Sequence, residues 1–306
     1  MIAISKGRPM TLQYRVFLHS HPGFNSTSTL FYGGRDAILI DASQLLSDAH
    51  RMAAELLLTG KNLTHIYVSH FHPDHHFGLA VLQHAFPEAR IVALPSVVSD
   101  IVFTSNDKMD LWGGPFGKNI PSKVVFPMPL PDARLEVEGH ELEFSDDWDG
   151  DSANNSVVWV PSLRLACATD VAFLDCHLWT TESDPARRNK WRASLKKLRE
   201  FDARVVVPGH VSEEKLRLEG TSCIDFSLQY LDRYEEVLAQ AKTGEELWAG
   251  LERYYPGMKA EDFGLQWQAR LLFPRSCPDW FAPLPGEPGR IFLDPQGRYV
   301  GEPPRE

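Results

Sequence analysis

Eight residues, Ser69-His70-Phe71-His72-Pro73-Asp74-His75-His76, constrain this chain more than any other stretch, because they crowd four imidazoles and a carboxylate into one short run. Side chains of these types at this spacing are metal-ligand chemistry. The preceding Ile66-Tyr67-Val68-Ser69 is β-branched and aromatic and reads as a buried strand, whereas Gly78 to Gln83 reads as helix. The histidines are therefore expected at a strand-to-helix turn. His70 and His72, two apart in extended backbone, project to one side and suit one ion, while Asp74 and His75 swing toward a second.

This order resembles the His-x-His-x-Asp-His hallmark of the metallo-β-lactamase-fold hydrolases, met here by His70, His72, Asp74 and His75. The resemblance runs from about Tyr14 to His210. It implies an αββα sandwich, two divalent ions and further ligands at the ends of later strands. Asp170 closes Leu165-Ala166-Cys167-Ala168-Thr169, and a carboxylate there can bridge two cations. His210, after Val205-Val206-Val207-Pro208-Gly209, completes the second site in the family's order.

At one position the chain departs from the family. A histidine usually stands before the hairpin that leads to the bridging aspartate, in a Gly-His-Thr or Gly-His-Ser context, but this sequence reads Trp148-Asp149-Gly150-Asp151-Ser152. Asp151 occupies the place and would join His70 and His72 around the first ion. Asp149 is a rival for that role, and an empty first site would leave a mononuclear enzyme. With Asp151 as ligand, three carboxylates and a bridging hydroxide neutralise two divalent ions. The bound water is then expected to be less acidic, and Mn(II) or Fe(II) gain ground on Zn(II), the first expectation, because carboxylate oxygen suits harder ions. Asp41 ends an earlier strand and either caps the next helix or supports the metal site from behind. His177, seven residues after Asp170, is a candidate substrate-binding or acid/base residue, the alternative being a surface loop.

The remaining pattern is consistent with a layered α/β chain. Three opening strands, a helix with Leu45, Ala49, Met52, Ala53 and Leu56 in register, and the strand into His70 form a first half. Short strands from Arg134 and Glu141, a hairpin turning at Pro161-Ser162, and a helix starting at Ser183-Asp184-Pro185 form a second. Residues 105–121 read as a lid or pocket wall mixing aromatics with glycine hinges, or as an ordinary loop. Amphipathic helices follow His210. The expected organisation is one catalytic domain over 1–275 with a Pro-rich tail, 276–306, packed on it or at a subunit contact, and carrying a hairpin at Asp294-Pro295-Gln296-Gly297.

Composition narrows the function. Of 306 residues 43% are hydrophobic, enough for a full core, and 41 acidic against 31 basic residues give a net charge of −10 with no basic patch, which argues against nucleic acid. No run approaches the roughly 18 apolar residues of a membrane helix, and the N-terminus has no apolar leader core, so a cytoplasmic protein with no membrane partner is expected. Four scattered cysteines indicate neither a disulfide scaffold nor a zinc finger. No serine-nucleophile motif appears. The expectation is a metallo-hydrolase in which a metal-bridging hydroxide attacks an ester, lactone, thioester or amide of a small, fairly apolar substrate, with Asp74 orienting or receiving the proton. Phe71, Phe77, Trp112, Phe116, Trp148 and Trp179 are the aromatics nearest the presumed mouth. The alternatives are an iron-dependent oxygenase or diiron redox enzyme on the same ligands, and a nonenzymatic metal-binding scaffold.

Overall fold

The computed structural model describes residues 11–216, 220–258 and 262–279. The first sheet has six strands in sequence order: β1 (Gln13–Leu18), β2 (Thr27–Tyr32), β3 (Asp36–Ile40), β4 (Asn62–Val68), β5 (Arg90–Ala93) and β6 (Met128–Pro129). Antiparallel at its opening and parallel from β3 onward, it needs helices for its crossovers. These are α1 (Leu46–Leu58), α2 (Leu79–Ala85) and α3 (Pro95–Phe116). The second sheet, in the order β11-β10-β9-β8-β7, comprises β7 (Arg134–Val137), β8 (His140–Trp148), β9 (Asn155–Val160), β10 (Leu165–Leu174) and β11 (Val205–Val211). Beside it lie α4 (Pro185–Leu198), α5 (Ser222–Gln240), α6 (Gly244–Tyr254) and α7 (Asp262–Leu272). The architecture is the αββα sandwich with added C-terminal helices.

Strand periodicity explains the layering. Leu165, Cys167, Val205 and Val207 face the core shared with the first sheet, while the intervening Ala166, Ala168 and Val206 pack against Trp191, Leu195 and Ile224 from α4 and α5. On the far side of the first sheet, Ala49, Met52, Ala53 and Leu56 of α1 meet the strand core at the spacing the sequence predicts.

Residues 105–121 are the main revision to the expected secondary structure. They do not form a hinged loop: through Phe116 they are the second half of the 22-residue helix α3, and Pro95 at its first turn supplies the start. Gly113, Gly114 and Pro115 lower helix propensity only at its C-terminal end, where Gly117 at φ 53° terminates it. The pocket-wall expectation survives, because Lys108, Leu111 and Trp112 line a cavity described below. Residues 280–306, which include the expected hairpin at Asp294, lie outside the described residues.

The strands converge on Asp170 at the sheet edge, and two glycines make room for it. A Cβ at Gly150 would lie 2.8 Å from the Asp170 carbonyl carbon, and one at Gly209 would collide with the Asp170 carboxylate and lie 2.6 Å from the Thr169 carbonyl carbon. Neither backbone group can yield. Gly209→Ala is therefore expected to cost about 1–3 kcal/mol through overpacking, read as a lowered thermal midpoint; an unchanged midpoint would show that β11 can shift away from Asp170.

Candidate metal centre

The His-rich run leaves β4 at Ser69 and turns through a single 3-10 turn at Pro73–His75. Pro73 keeps His72 extended (φ −70°, ψ 136°) and begins the turn, so consecutive ligands change direction without a long loop. The turn is pinned from below: Ala42 N–H donates to His75 O (2.8 Å), and the Ser156 hydroxyl from the second sheet donates to Ser69 O (2.6 Å).

Two groups of buried side chains result. His70, His72, Asp151 and Asp170 offer ligand atoms within 4.8 Å of one another, and so do Asp74, His75, Asp170 and His210. Asp170 belongs to both. Asp151, not Asp149, joins the first group; Asp149 is turned toward the Arg187 guanidinium (3.4 Å), and its backbone N–H donates to Ser194. The seven side chains expected as ligands thus meet at one place.

These residues fit a pair of cations better than they fit one another. His70 Nε2, His75 Nε2 and Asp170 Oδ1 are buried without a hydrogen bond, although His75 Nε2 and Asp170 Oδ1 are only 3.1 Å apart. Uncompensated buried polar atoms are costly, and here each belongs to a residue of one of the two groups, Asp170 to both, as suits ligands to a pair of ions.

The other nitrogen of each imidazole is tied down. His75 Nδ1–H donates to Asp41 Oδ2 (2.9 Å). The Ser69 hydroxyl donates to the same oxygen (2.7 Å), so its own lone pair accepts from His70 Nδ1–H (2.9 Å). His210 Nδ1–H donates to the Phe24 carbonyl (2.8 Å). His72 is held the other way round, with Nε2 3.1 Å from Glu182 and Nδ1 2.8 Å from Asp151. Such anchoring leaves one lone pair per ring facing the cluster. Asp41, at φ 61° beyond β3, does not cap α1, whose N-cap is Leu45; its carboxylate is spent on Ser69 and His75.

Electrostatics follow from burial opposed by pairing. Desolvation resists charge on Asp170, but His210, His75 and His70 outweigh it and hold its carboxyl well below the usual range. Burial likewise resists charge on His72, yet Asp151 and Glu182 carry it up to about 10. His75 is raised in the same way by Asp170, Asp74 and Asp41 against its own burial. The Asp151 carboxyl is raised, because burial dominates over the pull of His72. His76, which donates to Phe71 O rather than joining the cluster, is lowered by burial to about 3.

A cavity opens over the cluster, lined by His72, Asp74, Asp151, Asp170 and His210 together with the apolar Phe24, Leu111, Trp112, Trp179 and Trp267. Trp112 and Trp179 are where the sequence placed them. Phe71, Phe77 and Trp148 are core residues, and Phe116 packs behind Phe24. Phe24 and Trp267 carry no signal in the sequence, since they come from a tight turn and from α7. Glu182 carries no such signal either; it lines the same cavity and pairs at 3.2 Å with Lys108 of the expected pocket wall. His177 does not reach it. The chain reverses at Asp175 (φ 54°) and sends Cys176, His177 and Leu178 into the core, where the imidazole bonds the Tyr230 hydroxyl (2.8 Å).

A family model for the metallo-beta-lactamase superfamily matches residues 21–210. Among solved structures the chain is similar to a metallo-beta-lactamase from Pontibacter korlensis, at 18% identity over 72% of this chain and 95% of that one, with a TM-score of 0.49. It is also similar to a metallo beta lactamase from Erythrobacter litoralis with beta mercaptoethanol in the active site, at 17% identity over 72% and 92%, with a TM-score of 0.52. At such identity the latter likeness bears on the fold alone. No curated protein matches.

In metal-free protein the raised His72 stabilises the fold fully below its unfolded pKa of about 6.5 and loses that contribution as pH rises toward about 10. An ion held at Nδ1 would keep the ring neutral. Chelated protein is therefore expected to lose thermal stability between pH 7 and 10 while metal-loaded protein does not, and parallel melting curves for the two forms would contradict this.

Proposed function

Because the chain belongs to the metallo-β-lactamase superfamily, we propose that it is a metal-dependent hydrolase acting on an ester, lactone, thioester or amide bond of a small, fairly apolar substrate. The observation that supports this most is the convergence of two buried His/Asp groups on a shared Asp170 beneath an aromatic-walled cavity. In this reading His70, His72 and Asp151 hold one divalent ion, Asp74, His75 and His210 hold the other, and Asp170 serves both. Zn(II) is the expected metal, with Mn(II) or Fe(II) favoured more than in a histidine-only first site. Such a pair, when bound, supplies an acidified water and a Lewis acid for a carbonyl oxygen.

The chain's own residues do the rest. Asp74 lines the cavity with its carboxylate 3.2 Å from His75 and 3.4 Å from His210, so it would help hold the second ion and faces the cavity where it could orient or receive a proton. Trp112, Trp179 and Trp267 offer flat apolar surface and exclude water from the reacting bond.

Iron-dependent oxygen chemistry is the second reading, favoured by Asp151 where the family usually has histidine. Metal analysis of protein purified without added metal, followed by turnover of acyl substrates of graded size before and after chelation, separates the two. Hydrolysis abolished by chelation and restored by Zn(II) is the expected result; bound iron with oxygen consumption and no hydrolysis would sink the first reading. Asp151→Ala is expected to lower metal content by about one ion per chain, since one of that ion's few protein ligands is lost. Unchanged stoichiometry would remove Asp151 from the ligand set.

A further inference from the structure

We propose that Glu182 and Lys108 form a positioning relay that holds His72 with Nδ1 turned to the first ion, so that helix α3 helps set how tightly that ion is bound. The inference rests on the binuclear reading above. Neither residue belongs to the ligand set.

The four ligand histidines are not anchored alike. His70, His75 and His210 lean on groups built into the sheet framework: Asp41 at the end of β3, Ser69 at the end of β4, and the Phe24 carbonyl in the turn before β2. His72 leans on Glu182, a side chain 110 residues away in the loop before α4. That loop is itself fixed. Asp184 caps α4 by accepting from Arg187 N–H (2.8 Å), the Ser183 hydroxyl donates to Thr180 O (2.9 Å), and Thr180 bonds Gln268 of α7. Glu182 is thus presented at a defined place with one oxygen on His72 and the other on Lys108.

A buried carboxylate beside Asp151 would ordinarily be expensive. Lys108 offsets it. Its ammonium lies 3.2 Å from Glu182 Oε1, with the pair's side chains only 6% and 2% exposed, and 5.2 Å from the Phe71 ring centroid. The pair adds an acceptor for His72 Nε2–H without adding net charge to the first site. Lys108 precedes Leu111 and Trp112 by three and four residues, so all three share one face of α3 and all line the cavity. A molecule pressed against Trp112 therefore touches the face that carries the relay.

If the pair merely stapled the loop to α3, its loss would lower stability and leave the metals alone. The relay predicts a different pattern. Metal-free wild type, Glu182→Ala, Lys108→Met and the double variant Glu182→Gln with Lys108→Met are titrated with Zn(II) against a chromophoric chelator. Co(II) titrations add the visible spectrum. Glu182→Ala is expected to weaken one of two ions by about 10–100-fold and to change that ion's Co(II) absorption, leaving the other ion as in wild type. Lys108→Met should weaken the same ion less. The double variant keeps an amide oxygen for His72 with no unpaired charge and should recover most of the affinity.

Two ions in wild type with unchanged affinities and spectrum in Glu182→Ala would overturn the relay and spare the binuclear reading. Fewer than two ions in wild type would overturn both. Should Glu182→Ala not fold, Glu182→Asp, which withdraws the carboxylate by a methylene, takes its place beside Lys108→Met, and unchanged first-ion affinity in both overturns the proposal.

Discussion

The structure depends on a carboxylate buried among imidazoles. Asp170 is 1% exposed and lies within 3.0–3.4 Å of a nitrogen of His70, His75 and His210. A charge so far from water is tolerable only when opposite charge surrounds it. The two sheets are arranged to supply that surround, with His70 and His75 coming from the end of the first sheet and Asp170 and His210 from neighbouring parallel strands of the second. Gly150 and Gly209 are small for the same reason, since any Cβ would enter the space Asp170 fills.

Around that centre the polar groups are organised in depth. Asp41 satisfies Ser69 N–H, the Ser69 hydroxyl and His75 Nδ1–H at once, which explains a carboxylate held in left-handed backbone beneath the motif. Its counterpart on the other side is Glu182, held by Lys108. One anchor is part of the sheet and the other part of the pocket wall. Asp41 thus reaches histidines of both groups, His75 directly and His70 through Ser69, whereas Glu182 reaches His72 alone.

The cavity above combines parts from distant segments. Phe24 from the turn before β2, Trp112 from α3 and Trp267 from α7 meet with ring centroids 5.2–6.3 Å apart. This aromatic cluster packs the C-terminal helix α7 against α3 and the turn before β2. Trp267, beyond the family match at residues 21–210, thus contributes directly to the wall over the His/Asp cluster.

Much of this was legible in the residues themselves. The strand, turn and helix around His70 to His76 and the strand ends at Asp170 and His210 follow from local pattern and spacing, because such signals are written within a few consecutive residues, whereas the carboxylate near position 151 stood out only against the resembled family's histidine. Asp151 over Asp149 was not decidable that way: both flank Gly150, and only the fold shows that Arg187 draws Asp149 aside. The same holds for His177, whose distance from Asp170 suits the groove until the reversal at Asp175 turns it inward. Glu182, Lys108, Phe24 and Trp267 form no motif with the ligands, since tens of residues separate them in the chain. By itself the sequence determined the His/Asp-rich turn between strand and helix and the alternation of strands and helices, through residue type and periodicity, while the family resemblance supplied the expected sandwich and the later ligand positions. Tertiary structure alone decided which side chains stand behind the ligands and which line the cavity, because those contacts arise from the packing of segments remote in sequence.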